Sequence, residues 1–178
     1  MKTKLNQSKL KLAIVSAMLV GSAGFSTAGY ADTDTATMAV STAVSMSCTI
    51  AAGAMTFASY DPTDAADNDA TATITSTCTA GGAAVITMGQ GGRIQSGSTD
   101  ATPLRAMFNG NESAPEDLLY HLYSDSAGGT VWGNTSGSGK SITADGTAQD
   151  FTVHGRIPKT QTVSSGTYND SVLVTLTY

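Results

Sequence analysis

Across residues 35–50 the chain alternates without a break. Ala36, Met38, Val40, Thr42, Val44, Met46, Cys48 and Ile50 fall on one side, and the intervening positions are all Thr, Ser or Ala. A period of two puts successive side chains on opposite faces of an extended strand. One face is therefore mostly apolar and the other small and polar. The stripe covers 16 residues, whereas an ordinary strand has about 5–6. That is too long for one strand of a small domain, so part of it is expected to serve something other than its own fold.

Shorter alternating or apolar runs follow at 55–60, 71–79, 83–88, 104–108, 118–123, 151–157 and 172–178. Turn-rich segments at 61–69, 89–100, 109–117, 124–129 and 133–140 separate them. Short strands between turn signals predict an all-β fold, an antiparallel sandwich or barrel. No stretch carries a sustained 3.6-residue apolar period. The last run alternates Val172, Val174, Leu176 and Tyr178 with Ser171, Leu173, Thr175 and Thr177. A sandwich normally blunts such an edge with charge or proline, and neither occurs here. Two strongly patterned segments, one near each end, suggest a protein built to pair with something else.

The chain begins with a targeting pattern. Lys2, Lys4, Lys9 and Lys11 precede an apolar run at 12–20, and small residues follow. Cleavage after Ala28 or Ala31 fits the small-x-small rule of a secretory signal peptide. The nine-residue run falls well short of the roughly 20 residues a membrane span needs. Removing residues 1–31 leaves 147 residues with five basic and fourteen acidic side chains, a net charge of −9. Such a surface disfavours nucleic acid and anionic lipid as partners. A length of 147 residues suits one domain with a real core.

Two cysteines, Cys48 and Cys78, suit one disulfide in an oxidising compartment. A metal pair is the rival reading, but it lacks neighbouring ligands, since the histidines are His121 and His154. No metal or other cofactor is expected. Gly139-Lys140-Ser141 imitates the end of a phosphate-binding loop, but the glycine required five residues earlier is Asn134. Asp61, Asp64, Asp67 and Asp69 lack the glycine bend and closing glutamate of a calcium loop, so a solvated acidic loop is expected. The turn Gly-Gln-Gly-Gly-Arg at 89–93 is too unspecific to read further. His121 and His154 sit inside strand patterns, and no nucleophile elbow or matched acid pair accompanies them. Nothing in the residues points to an enzyme.

The order and spacing of several short motifs resemble the spore coat protein U-like domain, the subunit family of archaic (Csu-type) chaperone–usher pili. They are Met38-x-Val40-x-x-x-Val44-x-x-x-Cys48, Phe57-x-x-Tyr60-Asp61, Cys78-Thr79, Arg105-x-Met107, Leu119-Tyr120-x-Leu122-Tyr123 and Trp132-Gly133. Gly155-Arg156-Ile157-Pro158 and Gly166-Thr167-Tyr168-x-Asp170-x-Val172-x-Val174-x-Leu176-x-Tyr178 complete the set. The resemblance implies an incomplete immunoglobulin-like sandwich whose missing strand leaves an apolar groove. A periplasmic chaperone lends a strand to it, and in the fibre the N-terminal segment of the next identical subunit replaces the chaperone.

On that resemblance residues 32–43 form the donor strand and 44–178 the pilin domain. Met38 and Val40 are the main plugs, Ala36 and Thr42 weaker ones, and Val44 lies at the junction with the subunit's own first strand at 44–50. Val172, Val174, Leu176 and Tyr178 border the acceptor groove. An outer-membrane usher and tip-adhesin or adaptor subunits are the further partners implied, with a place on the cell surface and a part in adhesion and biofilm formation. A self-complementary subunit of this size suits the repeating shaft better than an adaptor. Two other classes remain: a small outer-membrane β-barrel, which 6% aromatic residues supply poorly with interfacial girdles, and a self-sufficient secreted sandwich that binds or coats a surface.

Overall fold

The computed structural model describes Gly29 and residues 31–178. Apart from Gly29 and Ala31, the expected signal segment lies outside the described residues, Ala28 with it. Contacts divide the chain into one unit ending at Ser41 and another spanning Thr42–Tyr178. In the first, residues 31–41 are exposed and carry no regular secondary structure.

The second unit is all-β. Its strands among the described residues are β1 (Cys48–Ala52), β2 (Asn68–Cys78), β3 (Ala83–Met88), β4 (Arg93–Ile94), β5 (Arg105–Phe108), β6 (Asp117–Tyr123), β7 (Lys140–Thr143), β8 (Ala148–Ile157) and β9 (Val174–Thr177). They form a six-stranded sheet in the order β1-β2-β8-β6-β5-β4 and a three-stranded sheet in the order β7-β3-β9. Every pairing is antiparallel, and the longest register, β2 with β8, runs from Asn68↔Ile157 to Thr77↔Ala148. Both sheets are open, which leaves β1, β4, β7 and β9 as edges. A membrane barrel must close on itself, so that alternative does not describe this fold.

The alternation seen in sequence becomes the two faces of each sheet. Ile74, Leu118, Tyr120, Leu122, Val153 and Ile157 from the large sheet pack on Ala84, Ile86, Met88 and Ile142 from the small one. Trp132, in the connection between β6 and β7, is completely buried and joins the layers. Its backbone N–H donates to the Leu122 carbonyl at 2.9 Å, and its indole Nε1–H donates to the Ile86 carbonyl at 2.8 Å. The Cys48–Cys78 disulfide forms and fastens the first residue of edge strand β1 to its register partner at the end of β2.

Two expectations shift. The first strand is Cys48–Ala52 rather than 44–50, because its partner β2 ends at Cys78 and turns away through Gly81, whose φ is +83°. Val44 is 80% exposed, and the last links upstream of Cys48 are at Ser47, whose carbonyl accepts the Thr79 N–H at 2.9 Å and whose N–H donates to the Thr79 hydroxyl at 3.1 Å. The run at 55–60 alternates only as far as Ala58, with Met55 and Phe57 half-buried and Thr56 and Ala58 exposed. Ser59 is exposed and Tyr60 half-buried out of phase, and the run joins no ladder. Pairing with β2 stops at Ala52↔Ile74, followed by one bond from the Gly53 N–H to the Thr73 carbonyl at 2.8 Å.

Candidate functional site

The unpaired segment after β1 faces a second segment whose backbone is tied to its neighbours at two points, the Phe108–Asn169 bridge at 2.8 and 3.0 Å and the Gly89 N–H donating to the Leu173 carbonyl at 2.8 Å. Residues 168–173 lead into β9, which pairs with β3 on one side only. Between these two rims lies a groove with two compartments, the first mainly apolar and the second of mixed polarity. The first, of about 250 Å³, has Ile74, Leu122, Val153 and Met88 in its floor and Val172 and Val174 in its wall. The second, of about 660 Å³, extends along residues 55–60 past Leu118 and Ile157 to residues 163–169. Met55, Phe57, Met107, Tyr168 and Asn169 line both compartments and mark where they meet. The floor is contributed mainly by strands that are fully paired, so the opening reflects a missing neighbour at the rims.

Local chemistry holds each rim. On one side the Asn68 side-chain amide donates to the Ala58 carbonyl at 2.9 Å. The Tyr60 hydroxyl donates to the Pro158 carbonyl at 3.2 Å and accepts the Gln161 N–H at 2.7 Å. On the other side Glu116 accepts from the Ser164 N–H, the Ser164 hydroxyl and the Tyr168 hydroxyl at 2.7–2.9 Å. These bonds, that of Tyr168 foremost, hold the Glu116 carboxyl below its ordinary value. The Tyr168 hydroxyl is pushed up to about 12 by desolvation and by its bond to Glu116.

Asp170 makes a third attachment. Its Oδ1 accepts the Gly92 N–H and the Ser171 N–H, both at 2.7 Å, and its Oδ2 accepts the Tyr120 hydroxyl. Burial, with the Asp170 bond second, pushes the Tyr120 hydroxyl well above the usual phenol range. Arg105, the register partner of Tyr120, is fully buried. Its guanidinium donates to the carbonyls of Gly89, Met88 and Trp132 at 2.8–3.0 Å, and Nη1 is without a partner. Desolvation lowers it to about 10, against the opposing pull of Tyr120 and Asp170.

Of the residues expected at the groove, Val172 and Val174 line it. Leu176 is half-buried against the core, while Tyr178 is 59% exposed and borders a separate hollow beside Val85 and Ile142. Among the expected donor residues, Ala36, Met38, Val40, Thr42 and Val44 are all exposed, Met38 by 83% and Val40 by 85%. Sequence reasoning did not single out Met55, Phe57, Tyr168 or Asp170 as groove residues. The alternation at 55–60 was the available signal for the first two. The acidic loop is occupied internally: Asp61 accepts from Thr63, and Asp67 and Asp69 pair with Arg156.

Two stacked antiparallel sheets with a cleft beside the edge strand β9 define an immunoglobulin-like sandwich open along one side. The chain belongs to the Spore Coat Protein U domain family, whose sequence model matches residues 34–175. It is 45% identical over 95 residues to Protein U of Myxococcus xanthus, a match covering 53% of this chain and 52% of the relative. The chain thus matches about half the length of that curated relative. Among solved structures it is similar in fold to a chain of the CsuC–CsuE chaperone–tip adhesion subunit pre-assembly complex from archaic chaperone-usher Csu pili of Acinetobacter baumannii. That match has a TM-score of 0.55 and 19% identity, and covers 76% of this chain and 40% of that one.

Proposed function

We propose that this chain is a structural subunit of a surface pilus that polymerises by donor-strand complementation. The observation that carries the reading is the apolar groove between the ladder-free segment at 55–60 and the edge strand β9, in a chain that also carries an exposed stripe of strand period. An extended segment entering such a groove gains main-chain hydrogen bonds along its length, and its alternate side chains fill the floor. Residues 32–43 are the donor segment, with Met38 and Val40 as principal plugs, Ala36 and Thr42 as minor ones, and Val44 at the junction. Val172, Val174, Leu176 and Tyr178 belong to the accepting edge. Burying Met38, Val40 and Val44 at about 1.5–3 kcal/mol each gives roughly 5–9 kcal/mol before pairing and ordering terms. At that scale, persistence of the polymer rests on slow strand release.

Before assembly the groove would be filled by a strand from a periplasmic chaperone and handed on at an outer-membrane usher. The product is a homopolymer on the cell surface, joined to tip-adhesin or adaptor subunits and serving adhesion and biofilm formation. The major-subunit role follows from one chain holding both a donor and a groove. Deleting residues 32–43 should give a subunit that accepts a donor peptide but forms no polymer. Val40→Asp should block homopolymers by burying an unpaired charge, while the variant's own groove still accepts a wild-type donor in mixed assembly. Electron microscopy and unboiled gels read both. Fibres from the truncated chain, or normal homopolymers of Val40→Asp, would overturn the donor assignment, and a single monomer band from the wild-type chain on an unboiled gel would favour the self-sufficient secreted module instead.

A further inference from the structure

A sandwich lacking a strand exposes its own core, and apolar walls left in water tend to close on one another. Whatever keeps this groove at a width that admits a strand has to connect its walls through rigid polar contacts. The turn at 89–93 supplies the seat for one. Gly91 has a φ of +81°, and a side chain there would collide with the Asp170 carboxylate. Gly92 donates its N–H to that carboxylate at 2.7 Å. From this seat Asp170 reaches the hydroxyl of Tyr120 on β6, in the opposite sheet. The Tyr120 ring in turn meets Phe57 edge-on, with centroids 6.4 Å apart. A continuous line of contacts therefore runs from the β9 wall to the 55–60 rim. Arg105 steadies the base of the line, because its bonds to Met88 and Gly89 fix the end of β3 from which the turn departs.

We propose that Asp170, seated on Gly91-Gly92 and joined to Tyr120, is a positioning residue that sets the separation of the groove walls and thereby which donor side chains fit. This rests on the donor-strand reading. Asp170 follows Asn169, whose backbone bridges Phe108 of β5. It lies two residues ahead of Val172 and four ahead of Val174, both wall residues of the first compartment, so a shift at its seat acts on the wall between that bridge and β9. Hydrogen bonds to charged groups are worth roughly 10- to 100-fold in an equilibrium, enough to govern the groove without governing the fold.

The test uses the mature chain carrying Val40→Asp, so that its own donor is disabled, and a fluorescent peptide of residues 32–46. Affinity is measured by anisotropy for this peptide and for the same peptide with Met38→Ala. In Tyr120→Phe and Asp170→Asn, binding of the first peptide should weaken about tenfold or more. Its preference over the Met38→Ala peptide should narrow at least threefold, roughly, as the walls lose their fixed spacing. Asp150→Asn, at an exposed β8 position bonded to Thr75, should change neither. Emission from buried Trp132 reports the fold in every variant, and Tyr120→Phe, which removes one oxygen, decides the matter if Asp170→Asn fails to fold. Unchanged affinity, or equal weakening of both peptides with Trp132 still buried, overturns the positioning role. Failure of the peptide to bind when Asp170 and Tyr120 are intact overturns the donor-strand reading itself, and the positioning role falls with it.

Discussion

Reducing the Cys48–Cys78 bridge should cost this fold a large part of its stability. The two cysteines are 30 residues apart in sequence, and closing a ring of that size restricts the unfolded chain by about 3.6 kcal/mol in the chain-entropy treatment. That corresponds to roughly a 400-fold change in the folding equilibrium. The folded side gives the same direction. β1 is a five-residue edge strand whose one ladder partner is β2, so without the bridge its attachment rests on that ladder, the Ser47–Thr79 bonds and the packing of Ile50. Equilibrium urea unfolding of the mature chain, oxidised and reduced, measures the difference. With a slope of about 2 kcal/mol/M the midpoint should fall by about 1.8 M. Reduction keeps both side chains and so avoids the cavity that alanine would leave at Cys78, which is 5% exposed. Hydrogen exchange should quicken first at the β1 amides and at Thr79. If the two midpoints agree within about 0.5 M at equal slope, neither the entropic argument nor the attachment of β1 described here is right.

Two further outcomes follow from the groove and its supports. Gly155 of β8 is paired on both sides, with Ala70 and Leu122, and a side chain there would strike Met55 and Phe57. Gly155→Ala should therefore displace the 55–60 rim and destabilise the fold by about 1–3 kcal/mol, read by urea unfolding; an unchanged midpoint would show that this rim does not pack on β8. Acid should weaken the protein in two stages. Burial, with a smaller push from Arg105, holds His121 below its ordinary 6.5. The unfolded chain therefore takes up a proton first, and stability falls as pH drops below about 6.5. Glu116, held below 4.5 chiefly by Tyr168, and Asp69, held below 3.8 chiefly by Arg156, contribute stability that is complete above those values and lost as pH falls beneath them. Thermal midpoints from pH 8 to pH 3 test both stages, and a midpoint that rises on acidification contradicts the assignment.

Periodicity located most of the framework. The run at 83–88 coincides with β3, and those at 118–123 and 151–157 fall within β6 and β8. It could not locate partners. An alternating pattern requires an extended chain with two unlike faces, and residues 55–58 satisfy that while joining no strand ladder. The start of β1 was hidden for a related reason, since the end of β2 fixes it. β4, two residues long, lay inside the turn-rich segment at 89–100, and β7, four residues long, begins at the last residue of the segment at 133–140 and continues over 141–143, where no run was read. Asp170 and the turn at 89–93 were separately visible, one as an acid ahead of a strand and the other as a glycine-rich bend. Their contact spans 78 residues, and no local pattern encodes it. Arg105 carried little warning beyond a charge within an apolar run; its burial depends on three carbonyls brought together by tertiary structure.

The disulfide also determines how the domain carries mechanical load. A pull applied to the chain ahead of Cys48 meets a covalent junction at the first ladder residue. Tension passes there into β2 and is spread over the ten residue pairs that β2 shares with β8. β1 is spared from being peeled off one hydrogen bond at a time, and the long β2–β8 ladder is loaded in shear along its length. In a fibre whose subunits are joined through their N-terminal segments, each domain would receive its neighbour's pull at its longest strand pair.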